Sequence, residues 1–224
     1  MKLTQEQIQE IEYALNKRGI DYIDLKYELL DHIATDIEQL MTEDKTISFE
    51  EAFNQAFYKW KDALRNSSSL LLGLAYSRPK IVVQACVNIL KRGSFMLTLY
   101  GGAITLVLYL LIKLGLLHFS EFFFNVVGIL QFIIGGGLLL LFFHIKSSSY
   151  KTSYSFIYNI NVAPFSIYYF IFNYNITMIG YPFEGGFLSL ISLFVQVEML
   201  LYPLFAYRVF KNHFKLRERK VFVS

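Results

Sequence analysis

The sequence predicts an all-α protein: an N-terminal cytoplasmic three-helix domain plus an interfacial helix, then four transmembrane helices. Three observations predict it: a step in charge along the chain, four long apolar stretches, and apolar residues at helical spacing before residue 66. Residues 1–94 hold 12 Lys+Arg and 14 Asp+Glu, whereas residues 95–224 hold 9 and 4. Parts so different in polarity face different solvents, and the step marks a domain boundary. The expected division is a helical domain at 1–66, an amphipathic connector helix on the membrane surface at 67–93, a transmembrane domain at 94–210 and a basic tail at 211–224.

The apolar stretches are long enough to be spans. Phe95 to Ile112 is uncharged, as is Phe122 to Phe143; Thr152 to Phe183 has room for a span and an outer loop. Gly185 to Tyr207 contains one charge, Glu198. Crossing about 30 Å of hydrocarbon at 1.5 Å per residue takes roughly 20 residues. The expected spans are about 95–117, 122–144, 154–178 and 187–209. A water-soluble alternative would need several helices apolar on every side, in a chain too short to cover them.

Cations set the orientation. Arg78, Lys80, Lys91 and Arg92 precede the first span, Lys146 and Lys151 separate the second and third, and six more follow the fourth from Arg208 to Lys220. The other two loops hold Glu121 and Glu184, with Lys113 near the first. By the positive-inside rule both termini are expected in the cytoplasm, consistent with four spans. The opening MKLTQEQIQEIE has neither an apolar core nor a small-residue cleavage site, so no signal peptide is expected. A lone cysteine, Cys86, excludes an intrachain disulfide and a thiolate zinc cluster.

Within the polar part, Thr4 with Gln7 and Ser48 with Glu51 are capping boxes opening the first and third helices. Leu3 and Ile8 would form a staple beside the first, and Gly19 would stop that helix. Ile8, Ile11 and Leu15 mark its inner face. A second helix, from about Asp21 to Met41, carries Ile23, Tyr27, Leu30, Ala34, Ile37 and Met41 at 3–4 spacing. The third offers Phe49, Phe53, Phe57 and Trp60 with Ala52 and Ala56, an aromatic stripe better read as core than as a ligand box. Beyond the polar Ser67 to Ser69, Pro79 opens a further helix. Its apolar residues Ile81, Val82, Ala85 and Ile89, flanked by cations, suit a helix lying on an anionic membrane surface. The alternative is a helix continuous with the first span, with Gly93 favouring a break.

The run YIDLKYELLDHIATDIEQL followed by ISFEEAFNQAF, with Glu28, Asp31, His32 and Asp36 in its acidic helix and Ser48, Glu50, Glu51 and Ala52 at the next helix start, resembles the HAAS-type domain over residues 4–65. That small bacterial three-helix module is often joined to transmembrane helices. The resemblance implies a signalling or regulatory association, a bacterial inner membrane and no catalytic residue.

Residues that could carry chemistry are few. Asp24, Glu28, His32 and Asp36 stand four apart on one helix face and form a candidate partner-binding acidic face. They could also surround a cation, but a solvated acidic face is the simpler reading, and no metal or other cofactor is expected. No H-E-x-x-H, G-x-S-x-G or phosphate-loop pattern occurs, so no catalytic residue is expected. Gly135 to Gly137 lie in an apolar span, where close helix contact or a bend explains them. The basic tail KNHFKLRERK fits topology and anionic lipid better than nucleic acid.

Glu198 stands about eleven residues from either end of the fourth span, about 16 Å from each interface. An ionised carboxylate there costs at least ~2.5 kcal/mol on insertion scales, so it must be protonated, paired or watered. Its expected neighbours are Gln196, Asn159, Asn161 and carbonyls freed by Pro164, with Pro203 loosening the fourth span and Asn125 and Gln131 facing the same interior. Glu198 is either an ion or proton site, a contact for a partner's helix, or a neutral hydrogen-bonded link between helices. The expected partners are the bilayer and a cytoplasmic or membrane protein, a second copy of the chain included. The expected function is regulatory or accessory, and the alternative is a small transporter or channel-like subunit built on Glu198. Lack of an internal repeat speaks against the alternative.

Overall fold

The computed structural model describes residues 2–118, 121–179 and 187–220; the side chains of 121, 124, 172–179, 187–188 and 217–220 are not described. Apart from one two-residue strand pair, its regular elements are helices. These are α1 (Gln5–Lys17), α2 (Ile23–Glu43), α3 (Phe49–Lys59), α4 (Lys61–Leu64), α5 (Lys80–Lys113), α6 (Glu121–Lys146), α7 (Ser153–Ile157), a π-helical turn (Tyr158–Val162), α8 (Ala163–Ile179) and α9 (Phe187–Lys220). A 3-10 turn at Leu70–Leu72 and the antiparallel pair β1 (Asn66–Ser67) and β2 (Arg78–Pro79) link α4 to α5. The chain forms two compact units, Met1–Asn88 with Ser149–Phe156, and Ile89–Ser148 with Ile157–Ser224.

In the first unit the local signals produce the helices they predict. Both capping boxes form, Thr4 with Gln7 and Ser48 with Glu51, each satisfying two otherwise orphaned donors. Gly19 takes a φ of 82°, and the Ile20 amide donates to the Leu15 carbonyl, which ends α1 in a Schellman turn. Ile20 is then buried against the end of its own helix. α2 departs from the expected stripe. Ile23 and Ile37 are buried as expected, but Leu29 and Ile33 are buried between them, whereas Tyr27 is exposed and Leu30 and Ala34 are only partly covered. Both stripes have helical spacing; the neighbours α1 and α3 select the one that is used. From α3, Ala52, Ala56 and Phe57 complete this core.

The connector also differs from expectation. Only Leu70–Leu72 is helical before Lys80, and α5 then runs without a break through Gly93. Of the face expected to meet headgroups, Ile81, Val82, Ala85 and Ile89, Val82 is buried by protein and the other three are partly covered; Val83 and Cys86 beside them are buried in the first unit. Gly93 serves close approach instead: a Cβ there would lie 3.2 Å from Phe205 Cζ of α9. α5 ends at Lys113, short of the expected 117, because Gly115 turns at φ 72° and the Leu116 amide bonds back to Leu111.

Among the described residues, three helices are long and apolar enough to cross a membrane: Lys80–Lys113, Asn125–Lys146 and Ser189–Leu216. The expected span at 154–178 is helical from Ser153 to Ile179 but interrupted by the π-helical turn. There the Ala163 amide donates to Tyr158, five residues back. Pro164 explains the widening: it has no N–H for the Ile160 carbonyl and its ring crowds that carbonyl. α6 packs most extensively on α8. Gly135 permits this, since a Cβ there would stand 2.9 Å from Tyr169 Cβ. Much of α5 faces outward, with Phe95, Leu99, Tyr100, Leu106, Val107 and Leu110 each more than half exposed. An apolar outer surface of that kind is what lipid solvates.

Candidate functional site

The second unit buries a set of polar side chains among apolar helices, and two prolines account for part of it. Pro203 lies inside α9 and has no N–H for the carbonyl four residues back, that of Met199. Tyr169, fully buried on α8, donates its hydroxyl to that same Met199 carbonyl. An aromatic side chain thus replaces the backbone donor that proline removes. Tyr202 in turn donates to Asn161 Oδ1 at 2.9 Å, inside the π-helical turn that precedes Pro164. Tyr158, from the same turn, donates to the Leu138 carbonyl of α6 at 2.9 Å. Gln131 of α6 and Gln196 of α9 meet at 2.5 Å, both buried. These bonds tie α6, α8, α9 and the π-helical turn together.

Glu198 is placed differently from its expected neighbours. It packs on α5: a Cβ on Gly101 would come within 2.8 Å of Glu198 Cδ. Gly93, Leu97, Gly101 and Thr105 stand four apart and form one face of α5, with Gly101 and Thr105 buried. Among the described residues, Glu198 Oε1 and Thr105 Oγ1 are the buried side-chain oxygens without a hydrogen-bond partner. A buried polar atom left unpaired costs about 1–3 kcal/mol, more when charged. The pair is therefore the least satisfied polar feature of an otherwise bonded core. Of the other expected residues, Gln196 pairs with Gln131 as described, Asn161 pairs with Tyr202, and Asn159 and Asn125 are exposed.

The acidic face of α2 is divided in the structure. Asp24 sits at the N-terminus of α7 and accepts from the Ser153 amide at 3.0 Å and from the Ser153 hydroxyl. Beside it Asp21 pairs with Lys151 at 2.7 Å, and the Ile23 amide donates to the Lys151 carbonyl. A carboxylate at a helix N-terminus is favoured by unpaired amides and by the helix dipole. Phe156, at the far end of this docked segment, is ringed by Tyr22, Tyr76 and Arg78. At the other end of the face, Asp36 binds Lys59 at 2.7 Å and the Trp60 indole at 2.8 Å. Burial alone would push its carboxyl up, but those two donors outweigh burial and hold it below its usual range. His32 stacks on Trp60 with centroids 6.1 Å apart, and Glu28 is exposed. Among the described residues no three metal-ligating side chains converge.

Sequence reasoning named Glu198, Gln196, Asn159 and Asn161 as one polar site, which the structure divides, and it did not name Tyr158, Tyr169, Tyr202, Gly101 or Thr105. One signal for Tyr169 was present: a proline inside a span implies an orphaned carbonyl, and a long polar-tipped side chain is the natural donor. Searched against protein families, curated proteins and solved structures, the chain matches none.

Proposed function

We propose that this chain is a non-enzymatic regulatory or accessory protein of a bacterial inner membrane, with four spans and both termini in the cytoplasm. Its polar helical unit is the receiver for a cytoplasmic protein partner, and the spans anchor, sense or dock into a larger assembly. The observation that carries the reading is the grip of α2 on residues 151–153, through Asp21, Ile23 and Asp24. Those residues lie in the segment joining α6 to α7, so a partner that moved α2 would act on the connection between two membrane helices. The HAAS-like pattern of residues 4–65 supports the signalling assignment, and the cations flanking the apolar stretches support the orientation. Run 153–179 is the third span in this reading, its π-helical turn bonded from inside the bundle. Full-length protein in mild detergent is expected to capture a protein partner, and removal of residues 1–66 to abolish capture. Recovery of the same partner by the spans alone overturns the reading.

A second reading has one specific observation behind it, the unpartnered Glu198 oxygen against Gly101. In it, Glu198 is an intramembrane ion or proton site of a small transporter or channel-like subunit. Loss of ion- or proton-coupled flux in proteoliposomes on Glu198→Gln favours it; unchanged flux together with retained partner capture removes it.

A further inference from the structure

Where α6 and α9 pass from apolar to basic sequence, the second unit carries an open groove of about 510 Å³ lined by His144, Tyr207, Phe210, Lys211, Phe214 and Lys215. Lys211 and Lys215 are one helical turn apart and project to the same side of α9. Both are exposed, and among the described residues neither has an ion-pair partner. Among the described residues no acidic side chain lines the groove. Its floor is aromatic: the His144 ring lies 5.0 Å from Phe214 and 5.8 Å from Phe210. The walls are held in register from behind, because fully buried His213 binds Ser148, just past the end of α6, at 3.0 Å.

We propose that this groove binds the headgroup of an anionic phospholipid, its phosphate between Lys211 and Lys215 and the start of its acyl chains on the Phe210 and Phe214 rings. Level, charge and surface agree on that occupant. The groove lies where two apolar helices turn basic, which is the depth of lipid phosphates. Two unpaired ammonium groups beside an apolar floor suit an amphiphilic anion, whereas free phosphate would leave the rings uncovered.

The test uses the full chain in mild detergent, titrated with phosphatidylglycerol or with phosphatidylcholine of the same chain length, and bound lipid counted by native mass spectrometry. Phosphatidylglycerol is expected to bind and phosphatidylcholine to bind far more weakly. The K211Q/K215Q variant is expected to weaken phosphatidylglycerol roughly twenty- to thirtyfold, the worth of two near-surface lysines. K211R/K215R, which keeps the charge, should retain binding, and K113Q, at the C-terminal end of α5 and outside the groove, should leave it unchanged. Equal binding of the two lipids, an unaltered K211Q/K215Q, or an equal loss in K113Q overturns the proposal. Displacement of the lipid by inorganic phosphate at equal concentration also overturns it, since the groove would then take free anion without a lipid chain.

Discussion

The two units of this chain use polar and apolar residues in opposite ways. In the first, an aliphatic core of Ile11, Leu15, Leu29, Ile33 and Ile37 is buried, and charged groups sit at its edge in pairs such as Lys26 with Glu12 at 2.5 Å. In the second, apolar side chains cover the outside of α5 while Gln131, Tyr158, Tyr169 and Gln196 are buried. Water explains the first arrangement, because removing apolar area from it is the main favourable term. The second is the arrangement suited to lipid, where apolar burial gains little and interhelical hydrogen bonds and close packing at small residues select the partners.

The largest expected effect follows from that contrast. Ile37→Ala, in the first unit, should destabilise by about 2–5 kcal/mol. Leu99→Ala, on the outer face of α5, should stay within about 0.5 kcal/mol. Hydrogen exchange across α1–α3 for the first variant and thermal unfolding in detergent for the second would measure them. Equal costs would break the comparison.

Close packing in the second unit is tested by neighbouring glycines. Gly135→Ala forces a Cβ to 2.9 Å from Tyr169 Cβ and should cost about 1–3 kcal/mol. Gly136→Ala meets nothing within 4 Å and should be neutral or slightly stabilising. Thermal unfolding of the two variants side by side gives the difference.

Asp24→Ala removes the charge-assisted bonds at the N-terminus of α7. A cost of about 1–3 kcal/mol is expected, read as faster hydrogen exchange over residues 152–156. Tyr169→Phe should cost about 1 kcal/mol in the membrane setting. That cost should shrink when Pro203→Ala restores a backbone donor to Met199, so the double-mutant cycle has a non-zero coupling. Additive costs would detach the tyrosine from the proline.

The smallest effect is a pH dependence in the first unit. Asp36 is held below its usual range, so its contribution is fully present above the unfolded carboxyl value of about 4. It is lost as pH falls through the lower folded value. Asp36→Asn should flatten the acid limb of a denaturation curve at low salt.

Much of the first unit was legible from local signals. A capping box or a Schellman glycine acts within a few residues, and Thr4, Ser48 and Gly19 do what their neighbours dictate. The face of α2 was not legible, because two stripes share its period and only α1 and α3 distinguish them. Nor was the division of the acidic face, since Asp24 meets Ser153, distant by 129 positions.

By itself the sequence determined helical content, the polar-to-apolar step, and that an acid at position 198 would lie deep in an apolar helix. These follow from composition and period, which are properties of short windows. Tertiary structure alone decided that α5 continues through Gly93, that Glu198 packs against Gly101, and that Tyr169 completes the helix Pro203 interrupts. A helix apolar on all sides carries no stripe to orient it; its rotation is chosen by the neighbours that supply hydrogen bonds and room for close approach.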